Sequence, residues 1–204
     1  MSKQLIVDYM PFEVTPQQIN ESISENEGRL IVNGVLQRAN AKNQNGRVYP
    51  KDTLMREAEN YSKVQIKERR ALGELDHPDS SVVNLNNVSH NVLEMHWKGD
   101  DLVGTVEVLG TPAGNILKEL FKSGIKLGIS SRGLGSVEEI HEADDSENPT
   151  VKVKDDFELI AFDFVSNPST HGAFLSPLKE GVENNQINKI TKVESIINDI
   201  LRGE

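Results

Sequence analysis

With 204 residues, 32 acidic against 22 basic side chains, a formal charge of −10 and no cysteine, the chain excludes several kinds of protein at once. The acidic balance repels a phosphate backbone, so nonspecific nucleic-acid binding is not expected, and the missing thiols rule out a disulfide framework, a thiolate nucleophile and a cysteine-ligated zinc. The length suits one domain with a real core; no apolar run approaches the roughly 20 residues that span a bilayer, and no signal-peptide pattern opens the chain, so a soluble intracellular protein is expected.

Residues 5–9 read as a short strand, and 11–27, polar and carrying Pro11 and Pro16, as a mobile segment with little to bury. Residues 29–39 are rich in β-branched side chains and predict a strand, followed at 43–50 by a turn with an Asn-Gly pair. Over 51–70, Leu54, Ala58, Tyr61, Val64 and Ile66 recur at mostly helical spacing behind Asp52, the expected N-cap. His77 precedes Pro78, which biases it toward extended backbone and places it at a chain corner. Residues 82–109 alternate in two runs about Lys98-Gly99-Asp100-Asp101 and predict a β-hairpin. Thr111-Pro112 then opens a helix with Ile116, Leu117, Leu120 and Phe121 as its apolar stripe, stopped by Ser123-Gly124.

The run Gly128-Ile-Ser-Ser-Arg-Gly-Leu-Gly-Ser136 is a poor core and a good site. Its glycines remove side chains where a backbone could approach a ligand, and two hydroxyls and an arginine lie among them. The plain alternative is a glycine-kinked strand with solvent-facing serines. A strand to Ile140, an acidic loop over 141–149 and a strand over 151–165 follow. Within 159–165 one carboxylate, Asp163, interrupts an apolar run, where it is costly to bury unless paired. His171 follows the Asn167-Pro168 turn; after a linker at 181–186, Ile187, Ile190, Val193, Ile197, Ile200 and Leu201 predict an amphipathic C-terminal helix.

His77, Ser130 or Ser131, and Asp163 supply a base, a nucleophile and an orienting carboxylate. A serine hydroxyl is a weak nucleophile until a base takes its proton. The competing reading has His77 capping a turn and Asp163 paired with a lysine or arginine. Glu74, Asp76, His77 and Asp79 also form a cluster, but Gly73 and Pro78 oppose the helix that a Glu74-x-x-His77 metal motif requires, so no metal and no cofactor is expected. Nor does a Gly-Lys-Ser/Thr follow the glycines, as a phosphate loop would need.

Three blocks, Asn45-Gly46-Arg47-Val48-Tyr49-Pro50, Ala71-Leu72-Gly73-Glu74-Leu75-Asp76-His77-Pro78 and Ser130-Ser131-Arg132-Gly133-Leu134-Gly135-Ser136, resemble in order and spacing the prohead core proteases of T4-like tailed phages. The resemblance runs from about Arg29 to Pro177. It implies an α+β fold with a β-barrel-like core and flanking helices, as in the assemblin-like maturation proteases of herpesviruses. It further implies a serine endopeptidase acting in the host cytoplasm, inside the procapsid, on scaffold or core proteins and capsid protein precursors. Cleavage would fall after a glutamate preceded two positions earlier by an aliphatic residue, and would include self-cleavage.

On the matching blocks His77 becomes the base, Ser130 the nucleophile and Asp163 the third member. The related herpesvirus enzymes use a second histidine, which makes His171 the alternative; a strand position fixes a side chain better than a Pro-bounded turn, which favours Asp163. His141 is a weaker rival, and His90 and His96 read as ordinary sheet residues. Backbone N–H groups from Ser131 onward are the natural oxyanion donors, with Arg132 as electrostatic helper or, more plainly, a surface salt bridge. Glu21, Glu25 and Glu180 end matching tripeptides in segments read as mobile and are the candidate self-cleavage sites; those at Glu74 and Glu119 lie in predicted structure.

The expected division is a mobile N-terminal segment with a short strand (1–28), a protease domain (29–180), and a linker with the amphipathic helix (181–204). That helix either packs on its own domain or docks the protease to scaffold or a neighbouring subunit and is removed on activation. A homo-oligomer is expected, with neither nucleic acid nor membrane as partner. The rival is a catalytically inactive scaffold or tube-like protein of the same fold.

Overall fold

Alternation of apolar and polar residues builds three sheets in the computed structural model, which describes residues 3–76, 78–140 and 150–166. In the first, β7 (Leu127–Gly135) runs between β1 (Gln4–Phe12) and β10 (Glu158–Val165), antiparallel to both. In the second, β2 (Leu30–Arg38), β6 (Asp101–Val108), β5 (Val88–Lys98) and β4 (Leu72–Glu74) lie in that order, all antiparallel. The third joins β3 (Arg47–Val48) in parallel to β9 (Thr150–Val153), which pairs with β8 (Val137–Ile140). With helices α1 (Pro16–Glu25), α2 (Lys51–Tyr61) and α3 (Pro112–Lys122), the architecture is α+β and dominated by sheet, as expected.

Phe164 of β10 organises the core. Its ring meets Phe12 at 5.1 Å, Phe121 at 5.4 Å and the His90 imidazole at 4.7 Å, all edge to face. Phe162, on the same face of β10, meets Tyr61 at 5.8 Å. Because side chains alternate along a strand, burying Phe162 and Phe164 in the core turns Asp163 to the other face. The first two sheets meet there, where Leu75 bridges Phe164.

The hairpin of β5 and β6 turns through Gly99-Asp100, with Gly99 at φ +63° and Lys98 opposite Asp101. Thr111 caps α3 by accepting the Gly114 N–H. Three expectations change. Residues 11–27 are not a loose segment: β1 runs to Phe12, and α1 follows with a Thr15/Gln18 capping box and Pro16 in its first turn. Ile19 is buried, and the Ser22 hydroxyl exchanges hydrogen bonds with the Ile31 backbone at 2.7 and 2.8 Å, so capping and one serine anchor supply what a thin apolar stripe does not. Asp52 lies inside the first turn of α2 rather than at its cap, which Pro50 occupies. The single strand expected over 151–165 divides at a turn into β9 and β10. His77, His141, His171, Glu180, the linker and the C-terminal helix lie outside the described residues.

Candidate active site

The two adjacent serines of β7 project to opposite faces of the sheet. Ser131 stands opposite Asp8 and Phe162, on the core face. Its hydroxyl accepts a 2.7 Å hydrogen bond from Gln37 Nε2 and reaches the Asp8 carbonyl at 3.5 Å. Ser130 stands opposite Tyr9 and Asp163. Directly facing residues of an antiparallel pair have Cβ atoms roughly 4.5–5.5 Å apart, so the Ser130 hydroxyl and the Asp163 carboxylate share one neighbourhood. Ser130 is 1% exposed, and its hydroxyl has no hydrogen-bond partner among the described residues.

Two positions further on, Arg132 returns to the Ser130 face. Its Nε donates to Asp163 Oδ2 at 2.8 Å, Nη2 donates to Asp163 Oδ1 at 3.2 Å and to Glu74 Oε1 at 3.0 Å, and Nη1 donates to the Ser80 carbonyl at 2.6 Å. All three charged side chains are fully buried. Arg132 is therefore not the surface salt bridge that the plain sequence reading allowed. The Asp163 carboxylate also accepts the Glu74 N–H on Oδ1 at 3.0 Å. That fills three of its about four acceptor sites and leaves one on Oδ2. Burial raises the Asp163 pKa, and the Arg132 guanidinium and the Glu74 N–H act against that rise.

Among the described residues, two buried carboxylates share one guanidinium. Such an arrangement favours a further cation or a proton. Two polar atoms close to it are orphaned among the described residues: Glu74 Oε2, and the Tyr61 hydroxyl, whose pKa is raised by burial first and by Asp163 second.

Glycines bring the chain close at two points. A Cβ on Gly73 would stand 2.0 Å from the Phe162 carbonyl and 2.3 Å from His90 Nε2, so only glycine lets β4 lie against β10 and present Glu74. A Cβ on Gly128 would stand 1.5 Å from the Tyr9 ring, which packs beside Ser130. Beyond Glu74 the chain stays on β10: the Asp76 N–H donates to the Phe164 carbonyl at 2.7 Å, with Asp76 at φ +67°, a left-handed conformation that aspartate tolerates better than most residues. Residues on both sides of His77, Asp76 and Ser80, are thus fastened to β10 and to Arg132. Glu74 sits in a strand, not a helix, and no group of histidines and carboxylates suited to a metal occurs among the described residues. His90 is buried, with Nε2 2.9 Å from the Phe162 carbonyl and its pKa pushed down to about 4 by burial; His96 is exposed on β5.

A family model described as prohead core protein serine protease matches residues 6–186. The chain belongs to that family. The prohead core protein protease of Enterobacteria phage T4 is 31% identical over 150 residues, 72% of this chain and 68% of that protein. The solved structure of the bacteriophage T4 capsid assembly protease superimposes with a TM-score of 0.67 at 26% identity, covering 81% of this chain and 99% of that one. As a prohead core protease, the chain is a peptidase of capsid assembly and virion maturation, and it shares the sheet-rich mixed fold of the T4 enzyme.

Several residues of the protease were not singled out for this site from sequence. Glu74 stands out in the sequence as a candidate metal ligand and as the end of a matching tripeptide, not as what it is, the second carboxylate on Arg132. Asp8, fully buried, is the one carboxylate in the 5–9 run and carries the same signal that marked Asp163. Gln37 carried no signal, because a β-bulge between Val35 and Gln37 turns it inward.

Proposed function

We propose that this prohead core protease cleaves scaffold and capsid precursor proteins within the procapsid through an acyl-enzyme on Ser130. The observation that carries the reading is the asymmetry of β7: the Ser131 hydroxyl is committed to Gln37, whereas the Ser130 hydroxyl is uncommitted among the described residues and faces Asp163. In the proposed reaction His77 takes the proton from Ser130 Oγ as oxygen bonds to the peptide carbonyl carbon. The carbon–nitrogen bond then breaks, and the leaving amine takes that proton from His77. Water attacks the ester, gives one proton to His77, and Ser130 recovers it as the carboxylic acid product leaves.

Asp163 is the third member in this scheme. Its remaining acceptor site on Oδ2 suits an imidazole N–H, and the uncompensated negative charge of Asp163, Glu74 and Arg132 favours the imidazolium that forms in the transition state. Arg132, with four hydrogen bonds already made, holds the carboxylates in place. The oxyanion then falls to backbone N–H groups from Ser131 onward, where the bulge between Leu159 and Ala161, opposite Gly133 and Arg132, loosens the ladder. At 1% exposure, Ser130 meets a peptide carbonyl only after the groups over it shift.

The proposed preference is for glutamate preceded two positions earlier by an aliphatic residue, with self-cleavage. Glu21 and Glu25 stand on a capped helix that must unwind to enter a cleft, so cleavage there is expected to be slow and Glu180 to be processed first. Intact mass of wild type, Ser130→Ala and Ser131→Ala after concentrated incubation tests the scheme. Loss of a fragment ending after Glu180 from wild type and Ser131→Ala, with Ser130→Ala whole, is the expected result; Ser131→Ala alone remaining whole would assign the chemistry to the wrong serine.

A further inference from the structure

The Asn45–Pro50 block takes no part in the chemistry above, yet its side chains converge on one residue behind the nucleophile strand. Asn45 Nδ2 donates to Asp8 Oδ1 at 2.6 Å, Arg47 Nη1 donates to the same oxygen at 2.8 Å and to the Val7 carbonyl at 3.1 Å, and the Tyr49 hydroxyl donates to Asp8 Oδ2. Burial and the Asp8 carboxylate hold the Tyr49 pKa well above its usual range, which keeps the phenol a neutral donor. Asp8 lies opposite Ser131, and Ser131 is held in turn by Gln37.

The sequence of β7 makes such anchoring necessary. Three glycines leave the strand few side chains to define its pairing, and glycine-rich strands specify register weakly. A slip of one residue would put Ser131 where Ser130 belongs and drive Arg132 into the core. We propose that Asp8, Asn45, Arg47, Tyr49 and Gln37 form a register lock: positioning residues that fix β1 and Ser131, and through them aim Ser130. The proposal rests on Ser130 being the nucleophile.

The test uses the full chain with Gln37→Leu and Tyr49→Phe, the latter removing a single oxygen so that a folded variant is in hand. Amide exchange reads the lock without chemistry: each variant should exchange about fivefold faster over residues 127–135, the equivalent of one lost hydrogen bond, with α3 unchanged. A fluorophosphonate probe reads the aim. Its labelling rate at Ser130 should fall about ten- to a hundredfold at an unchanged saturation constant, with part of the adduct moving to Ser131. Wild-type exchange in β7 of both folded variants, or faster exchange with wild-type labelling of Ser130, overturns the lock. Faster exchange in variants of a wild type that takes no adduct at Ser130 instead overturns the nucleophile assignment, and with it the aiming of Ser130, while the fixing of strand register by these residues stands.

Discussion

The two faces of β7 carry much the same kinds of group to opposite ends. On the core face Asp8 has an arginine, Arg47, to itself and accepts from Tyr49 and Asn45 as well, so one guanidinium answers one carboxylate. On the other face Asp163 and Glu74 share one arginine, negative charge is in excess, and the Ser130 hydroxyl and Glu74 Oε2 are left without partners among the described residues. A satisfied buried network holds a fold rigid, whereas an unsatisfied one keeps capacity for groups that arrive during a reaction. The same strand therefore sets a hydrogen-bonded serine one residue from the serine proposed to carry the chemistry.

The difference between the faces is broken most completely at Ser130. Ser130→Ala should lower kcat roughly 10⁶-fold with little change in melting temperature, whereas Ser131→Ala should retain most activity; peptide hydrolysis beside thermal denaturation checks both. Next in size is Arg132→Met, which leaves two carboxylates buried without their cation and should destabilise the protein by about 3–5 kcal/mol in denaturant titrations. Arg132→Lys should recover little of this, since a point charge cannot reproduce the paired hydrogen bonds to Asp163.

Acid sharpens the comparison from the core side. His90 has a folded pKa of about 4 against about 6.5 unfolded, so between these values the unfolded chain binds the extra proton. Stability is then lost as pH falls through that window, by about 3 kcal/mol in all, and His90→Gln should flatten the slope. Asp163, whose folded pKa is raised, acts with the opposite sign from 3.8 upward, so the difference between wild type and His90→Gln isolates the histidine. The smallest effect is expected at Thr15→Ala, where loss of the α1 cap should cost about 1 kcal/mol without changing kcat.

Ser130 and Asp163 were legible because each violates its local pattern, a hydroxyl among glycines and a carboxylate among apolar residues. What the pattern could not show was partnership across the sheets. That Asp163 takes its arginine from two residues beyond the serine follows from the pairing of β7 with β10, which joins residues about thirty apart in sequence. Glu74 reaches the same arginine only because Gly73 admits β4 against β10. Helix α1 escaped because its stability comes from a capping box and the Ser22 anchor more than from apolar periodicity. Gln37 depends on a bulge, which changes facing without a residue-level sign.

The most direct test of the two-faced strand is to map the adduct of a serine-reactive fluorophosphonate on the wild-type chain by peptide mass. An adduct on Ser130 that survives in Ser131→Ala and vanishes in Ser130→Ala is the predicted result. An adduct on Ser131 would contradict the assignment of the uncommitted hydroxyl as the reactive one.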